Sequence, residues 1–412
     1  MKAETIRKID LWIGKPLCWL LTRWRKFTEL NAPVQQKPQK ILLIKMTEQG
    51  ATVLAWRAMQ RAIDLVGREN VYFWVFEENR PILDLMKLIP RENVIAIDAS
   101  SMTSAITDTI KSLSKIRKLG IDATVDMEFF ARSSAVLGYL SGAKMRVGLH
   151  RFTTEGPYRG DLLTHRVEHN PYLHVSVAYW TLVECLLRDP NERPLPKMLI
   201  PPMDMAPPKL PIPPADVQRV RELLQLVGGY TPSGPIVLLN PNASDMLPLR
   251  RWESERFVQL ARKLLAEFAD LTVVFTGGKS ERDAAEKLAA DVRSNRCFCV
   301  AGKTTLRELF ALYSISKVLV TNDSGPGHFS ALTDIHAIVL FGPETPKVFG
   351  PIGKNARAVW AGIACSPCVN AMNHRVSPCN NNVCMQLIEV EQVYGLVREV
   401  LTHPVHPPTH FV

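Results

Sequence analysis

No part of this 412-residue sequence approaches the roughly 20 consecutive apolar residues that a membrane-spanning helix needs. The apolar run LCWLL (17–21) is too short for an export signal, and the opening MKAETIRKID mixes acids with bases. The expected setting is therefore the cytoplasm. A Walker loop or a Gly-x-Gly-x-x-Gly turn follows the first strand of neither half, so P-loop ATPases and dinucleotide enzymes lack their anchor. There is no Asp-x-Asp pair to hold a diphosphate through a metal ion. C2H2 zinc-finger spacing, RNA-binding signatures and long Lys/Arg blocks are also missing, so nucleic acid is not an expected partner.

What is present is a net charge of +10, which points to an acidic partner such as phosphate or anionic lipid. The length calls for two domains. Residues 1–37 are basic and tryptophan-bearing, with Trp12, Trp19 and Trp24 among Arg7, Lys8, Lys15, Arg23, Arg25 and Lys26. Two readings stay open for them: a helix in a membrane interface, or a helix packed on the protein's own surface. Residues 38–189 alternate strand-like runs (KILLIK, VYFWVF, NVIAID, DATVDM) with helix-length segments, the pattern of a parallel doubly wound sheet. Ten prolines between 190 and 214 mark a linker. The alternation restarts over 215–385, which includes a cysteine-bearing segment at 365–384, and 386–412 reads as a C-terminal helix and tail.

In such α/β folds ligands sit beyond the carboxyl ends of the strands, and the polar residues of the second half gather there. IVLLN runs into PNASDMLPLRRW, LTVVFTG into GKSERD, VLVTND into SGPGH, and AIVLFG into PETPKVFGP. Gly325 and Gly327 would let backbone N–H groups at a helix start approach an anion. Ser324 and His328 could donate to phosphate oxygens, Arg250 supplies charge, and Glu281 could accept from ribose hydroxyls. The Ser324 context lacks the Gly-x-Ser-x-Gly of a hydrolase elbow. The inference from these loops is a nucleoside diphosphate bound in the second half without a metal ion.

NPNASDMLPLRRW, FTGGKSE, AGKTTLRELFALY, NDSGPGHFSAL and FGPETPKVFGP, in this order, resemble the glycosyltransferase family 9 heptosyltransferases. The resemblance covers roughly residues 38–400 and is strongest in the second half. It implies a GT-B fold, two Rossmann-like lobes facing a cleft. It also implies inverting, metal-independent transfer of heptose from ADP-heptose to a lipopolysaccharide-core acceptor at the cytoplasmic membrane face. Carried over, the family's phosphate loop falls on Asp323, Ser324, Gly325 and His328, with Ala243, Ser244 and Arg250 in the preceding phosphate-contacting loop. Glu281 takes the ribose position and Thr304 the base-contacting position. The family's usual Gly-Asp after the first strand is here Gly50-Ala51, so its general base is missing. Glu48 on the same loop and Glu128 after the DATVDM strand are the substitutes. Arg151 and Arg159, in the basic stretch 146–167, are the expected acceptor-binding residues, with Arg146, His150 and His165 nearby. Cys365, Cys368, Cys379 and Cys384, spaced C-x2-C-x10-C-x4-C, could give four thiolates to a structural zinc. Thiols or redox-labile pairs are the competing reading. Ala51 also leaves open a nucleotide-sugar-binding regulator without catalysis, and a GT-B-like epimerase that needs no acceptor is a third reading.

Overall fold

Runs such as ILLI, VYFWVF and IVLLN lack the polar alternation of a half-exposed strand, so they fit strands covered on both faces, and each is buried along its length. The computed structural model describes residues 10–29, 37–153, 156–243 and 247–403. It divides into two units, Met1–Met205 with Asn370–Arg375, and Ala206–Val369 with Val376–Val412. The division falls inside the proline-rich stretch. A short piece of the cysteine-bearing segment counts with the first unit.

In the first unit a single π turn, Asp10–Gly14, leads into α1 (Lys15–Thr28). Six parallel strands follow: β1 (Ile41–Ile44), β2 (Val71–Phe76), β3 (Val94–Ile97), β4 (Ala123–Asp126), β5 (Met145–Leu149) and β6 (His165–Val167). Their order across the sheet is β3-β2-β1-β4-β5-β6. Helix α2 (Gln49–Leu54) follows β1, α3 (Arg132–Leu140) follows β4 and α4 (Val175–Glu184) follows β6.

The second unit repeats the plan with β7 (Ile236–Asn240), β8 (Thr272–Phe275), β9 (Cys297–Cys299), β10 (Val318–Asn322), β11 (His336–Phe341) and β12 (Ala356–Trp360). The order is β12-β11-β10-β7-β8-β9, which is the first sheet's order read from the other edge. Helix α5 (Gly325–Phe329) follows β10, and α6 (Val390–Thr402) packs on the helix Ser254–Glu267. In both sheets the winding reverses between the first and fourth strands, β1/β4 and β7/β10. That switch opens a crevice at the carboxyl ends of the strands.

The basic stretch 146–167 is less of a loop than its charge suggests, because it contains β5 and β6. Arg146 is compatible with a buried strand because its guanidinium is fully used. It donates to the Leu162 carbonyl (2.7 Å), the Ala143 carbonyl (2.6 Å) and Glu29 Oε2 (2.6 Å). These partners compensate only part of the desolvation, which still lowers the Arg146 pKa from its usual value.

Candidate active site

At the switch point of the second sheet, β7 and β10 run side by side with Thr321 opposite Asn240, so the loops that leave them start together. Asparagine side chains tie these loops. Asn322 Nδ2 donates to the Pro241 carbonyl (2.8 Å), and Asn322 Oδ1 accepts from the Trp252 N–H (3.0 Å). Asn242 Nδ2 reaches the Thr276 carbonyl (3.2 Å) in the neighbouring loop. Arg251 holds the same loop through the Ala243 carbonyl at 2.8 Å. Arg250 is thereby placed, buried, with Nη1 3.5 Å from Asp323 Oδ2 and 3.7 Å from Glu344 Oε2. One guanidinium at ion-pair distance from two buried carboxylates is held electrostatically at the switch point. Arg250 Nε, also buried, has no hydrogen-bond partner among the described residues.

Four of the expected donor residues have local partners or packing of their own. Asp323 lies beside Arg250, and as an anion it is suited to fixing that arginine rather than to touching phosphate. Ser324 donates its hydroxyl back to the Asn322 carbonyl (3.0 Å) and does not cap α5. Gly327 is required by packing, since a Cβ there would come within 2.9 Å of Val339 Cγ2. His328 lies buried on α5 beside it. Glu281, expected at the ribose, spends one oxygen on the Gly278 N–H (2.6 Å) of its own turn. Thr304 is half-buried and precedes the Thr305 cap of the next helix. Ser244 lies outside the described residues, as do Arg7 and Lys8. Glu344 and the asparagines were missed in the sequence. The only signals were an acid inside the FGPETP loop and Asn ending both β7 and β10.

The switch point of the first sheet is built around Lys45, which follows β1 and is fully buried. Its Nζ lies 3.1 Å from Glu128 Oε2 and 3.6 Å from Glu48 Oε2. Burial alone would push the ammonium toward neutrality, yet Glu128 and Glu48 outweigh it and hold the lysine pKa above its usual value. The Tyr179 phenol on α4 is pushed up by its own burial and stays neutral. Glu128 Oε1 accepts from the Met46 (2.7 Å) and Thr47 (3.2 Å) N–H groups. With Lys45 on its other oxygen, Glu128 is a clasp for the β1 loop. Glu48 is different. It has φ +69° without being glycine, is partly exposed, and pairs with Arg375 as well as Lys45. A non-glycine residue held there costs on the order of 1–3 kcal/mol and is found mainly where a site needs it.

Arg159 is not available to an acceptor. It is buried, paired with Asp126, and Ser134 Oγ donates to the same carboxylate oxygen at 2.9 Å. The guanidinium is closed in by its counter-ion at the end of β4 instead. Arg151 is partly exposed and stacks over Tyr158 at 5.7 Å, so it remains accessible. His150 and His165 are held neutral by burial, each with its pKa lowered to about 4. Among the described residues no group of three or more His, Cys, Asp or Glu side chains is arranged to hold a metal ion. Cys365, Cys368, Cys379 and Cys384 are close enough for the other three to add to the effect of burial in raising the Cys384 thiol. Of the residues between Cys368 and Cys379, Asn370–Arg375 count with the first unit, whereas Val369 and those from Val376 on count with the second.

The family model for glycosyltransferase family 9 (heptosyltransferase) matches residues 111–376, well over half of the chain. The chain belongs to glycosyltransferase family 9. Among curated relatives it is 30% identical to lipopolysaccharide heptosyltransferase 2 of Salmonella typhimurium over 128 residues, 30% of this chain and 36% of that one. It is 27% identical to lipooligosaccharide heptosyltransferase 2 of Campylobacter jejuni over 169 residues, 40% of this chain and 51% of the other. The alignments thus span about a third to a half of the length of these relatives. The structure of E. coli ADP-heptose lipopolysaccharide heptosyltransferase II superposes with a TM-score of 0.65 at 19% identity, covering 88% of this chain and 98% of that one. The two doubly wound units of this family 9 chain are accordingly a GT-B fold. Among the described residues no helix is long and apolar enough to cross a membrane.

Proposed function

We propose that this family 9 member is an inverting, metal-independent glycosyltransferase. It moves a sugar, heptose from ADP-heptose, onto a lipopolysaccharide-core or related cell-envelope glycolipid at the cytoplasmic face of the membrane. The observation that carries the reading is Arg250, oriented by Asp323 and Glu344 at the switch point of the second sheet. A cation fixed there opposes the charge that develops on a departing diphosphate, without a metal ion. The relatives' names supply the donor and acceptor classes.

In the proposed step the acceptor hydroxyl oxygen attacks the anomeric carbon. The new C–O bond forms as the bond to the diphosphate oxygen breaks, and the nucleoside diphosphate carries away that electron pair. The hydroxyl proton passes to the Glu48 carboxylate. Lys45 and Arg375 hold that carboxylate, and Glu128 keeps the loop beneath it in shape. Arg151 is the accessible cation for an acidic acceptor group.

The second reading, a nucleotide-sugar-binding protein without catalysis, is favoured by Ala51, where the family usually carries aspartate. Transfer of labelled sugar from a panel of nucleotide sugars to envelope glycolipid separates the two. Glu48→Gln is expected to lower kcat by at least about 100-fold, with ADP affinity unchanged. Glu128→Gln is expected to cost stability first. ADP binding without transfer by the intact chain, and no gain from Ala51→Asp, would leave the binding protein as the reading.

A further inference from the structure

We infer that α1 and the π turn before it form a lipid-facing surface that seats the first unit on an anionic bilayer. The evidence is what this segment buries and what it leaves in water. One face is docked firmly. Cys18 is fully buried against Ala135, Val136 and Leu162, and Thr22 Oγ1 accepts from the Asp161 N–H at 2.8 Å. Arg25 Nη1 donates to the Asp161 carbonyl at 2.9 Å. The two acids that bracket the segment also turn inward. Asp10 accepts from Arg132 Nη1 at 2.7 Å, and Glu29 accepts from Arg146 Nη2 at 2.6 Å.

The opposite face is large and apolar. Trp12 is 75% exposed, Ile13 60%, Leu20 60%, Trp24 61% and Phe27 78%. Leu20, Trp24 and Phe27 are spaced i, i+4, i+7, so they form one stripe along the helix. Lys15, Arg23 and Lys26 flank the stripe, all exposed, and the Arg23 guanidinium lies 5.0 Å over the Trp19 ring. No Asp or Glu occurs from 11 to 28. A contiguous aromatic patch of this kind is uncommon on a surface that faces only water. Indole and phenyl rings bordered by cations, with Asp10 and Glu29 turned inward, match the headgroup region of an anionic leaflet. A second copy of the chain fits less well, because pairing two such faces would bring their cations together.

The docking also links this surface to the first unit's switch point. Asp10 fixes Arg132 at the start of α3, and α3 follows the β4 loop that carries Glu128. Seating α1 on lipid would therefore hold those loops near the membrane surface. The inference stands whether or not the chain transfers sugar.

The test uses the full chain and two vesicle preparations, phosphatidylcholine alone and phosphatidylcholine with about 30% phosphatidylglycerol. Co-sedimentation with the anionic vesicles, weaker on the neutral ones, with a blue shift of tryptophan emission, is the expected result. Trp24→Ala with Phe27→Ala should lower the partition coefficient at least about tenfold. Lys15→Gln with Arg23→Gln and Lys26→Gln should remove the preference for anionic lipid. The substituted side chains are exposed, so circular dichroism and thermal melting should match the parent. Absence of binding to either vesicle, or binding undiminished in the Trp24/Phe27 variant, would overturn the inference. So would a concentration-dependent dimer that this variant abolishes without any vesicle binding.

Discussion

Replacing Arg250 with methionine is the sharpest perturbation that the second unit offers. The guanidinium lies 3.5 Å from Asp323 and 3.7 Å from Glu344, and both carboxylates are buried. With an effective dielectric constant of about 20, each attraction amounts to roughly 4–5 kcal/mol before desolvation is subtracted. Methionine preserves much of the volume but leaves two buried carboxylates facing each other without the cation. Loss of one partner from a buried ion group costs about 3–5 kcal/mol. For a unit of this size that is a fall in Tm of roughly 10 °C.

The sign of the pH effect follows. In the variant the folded-state pKa values of the two acids are raised above their unfolded values. The penalty is therefore full near about pH 7 and fades toward about pH 4.5 as the carboxyls take up protons. The assay is the difference in Tm between parent and Arg250→Met across that range, with Arg250→Met plus Glu344→Gln alongside. The double variant should recover about half of the loss. Arg250→Lys should keep most of the stability and weaken ADP binding, because lysine cannot present the same planar fork. A single variant that melts within about 2 °C of the parent near pH 7 would refute the reasoning, as would a double variant no better than the single.

Acid should unsettle the first unit separately. His150 and His165 have folded pKa values near 4 against an ordinary 6.5, so their neutral state favours the fold above about pH 6.5. That contribution is lost as pH falls toward 4, by up to about 3 kcal/mol for the fully buried His165. His165→Phe should therefore flatten the decline in stability followed by circular dichroism between those values. Thiol labelling should be sequential. Exposed Cys365 reacts with iodoacetamide in the native protein, whereas Cys18, Cys185 and Cys297, pushed up to about 11, 12 and 12 by burial, react only on unfolding. Mass spectrometry of labelled peptides against time checks that order.

Much of the architecture could be read from the chain because doubly wound sheets advertise themselves. IVLLN and VYFWVF are buried on both faces, and their polar successors fall where the strands end. The same logic placed Arg250, Asp323 and Glu48 on loops at the strand ends. It failed where charge was taken for exposure. Arg146 and Arg159 look like surface cations until their partners are known, and those partners, Glu29 and Asp126, lie far away in sequence. Local spacing cannot report a counter-ion more than 30 residues distant. Residue type also left the roles of Gly327 and Ser324 undecided, because packing against Val339 and a return bond to Asn322 are tertiary facts. Glu128 and Glu48 were equivalent as letters. Only the structure shows that one holds two backbone amides while the other sits on left-handed backbone.

The shared strand order of the two sheets has an evolutionary and practical corollary. Each half encloses its own core and ends in its own set of strand-end loops, so either set can change without rewriting the other half's core. A graft that joins this chain's first half to a relative's second half, cut among the prolines near Met205, should fold with both sheets intact. Its stability to heat, followed by circular dichroism against both parents, checks that the two halves fold independently.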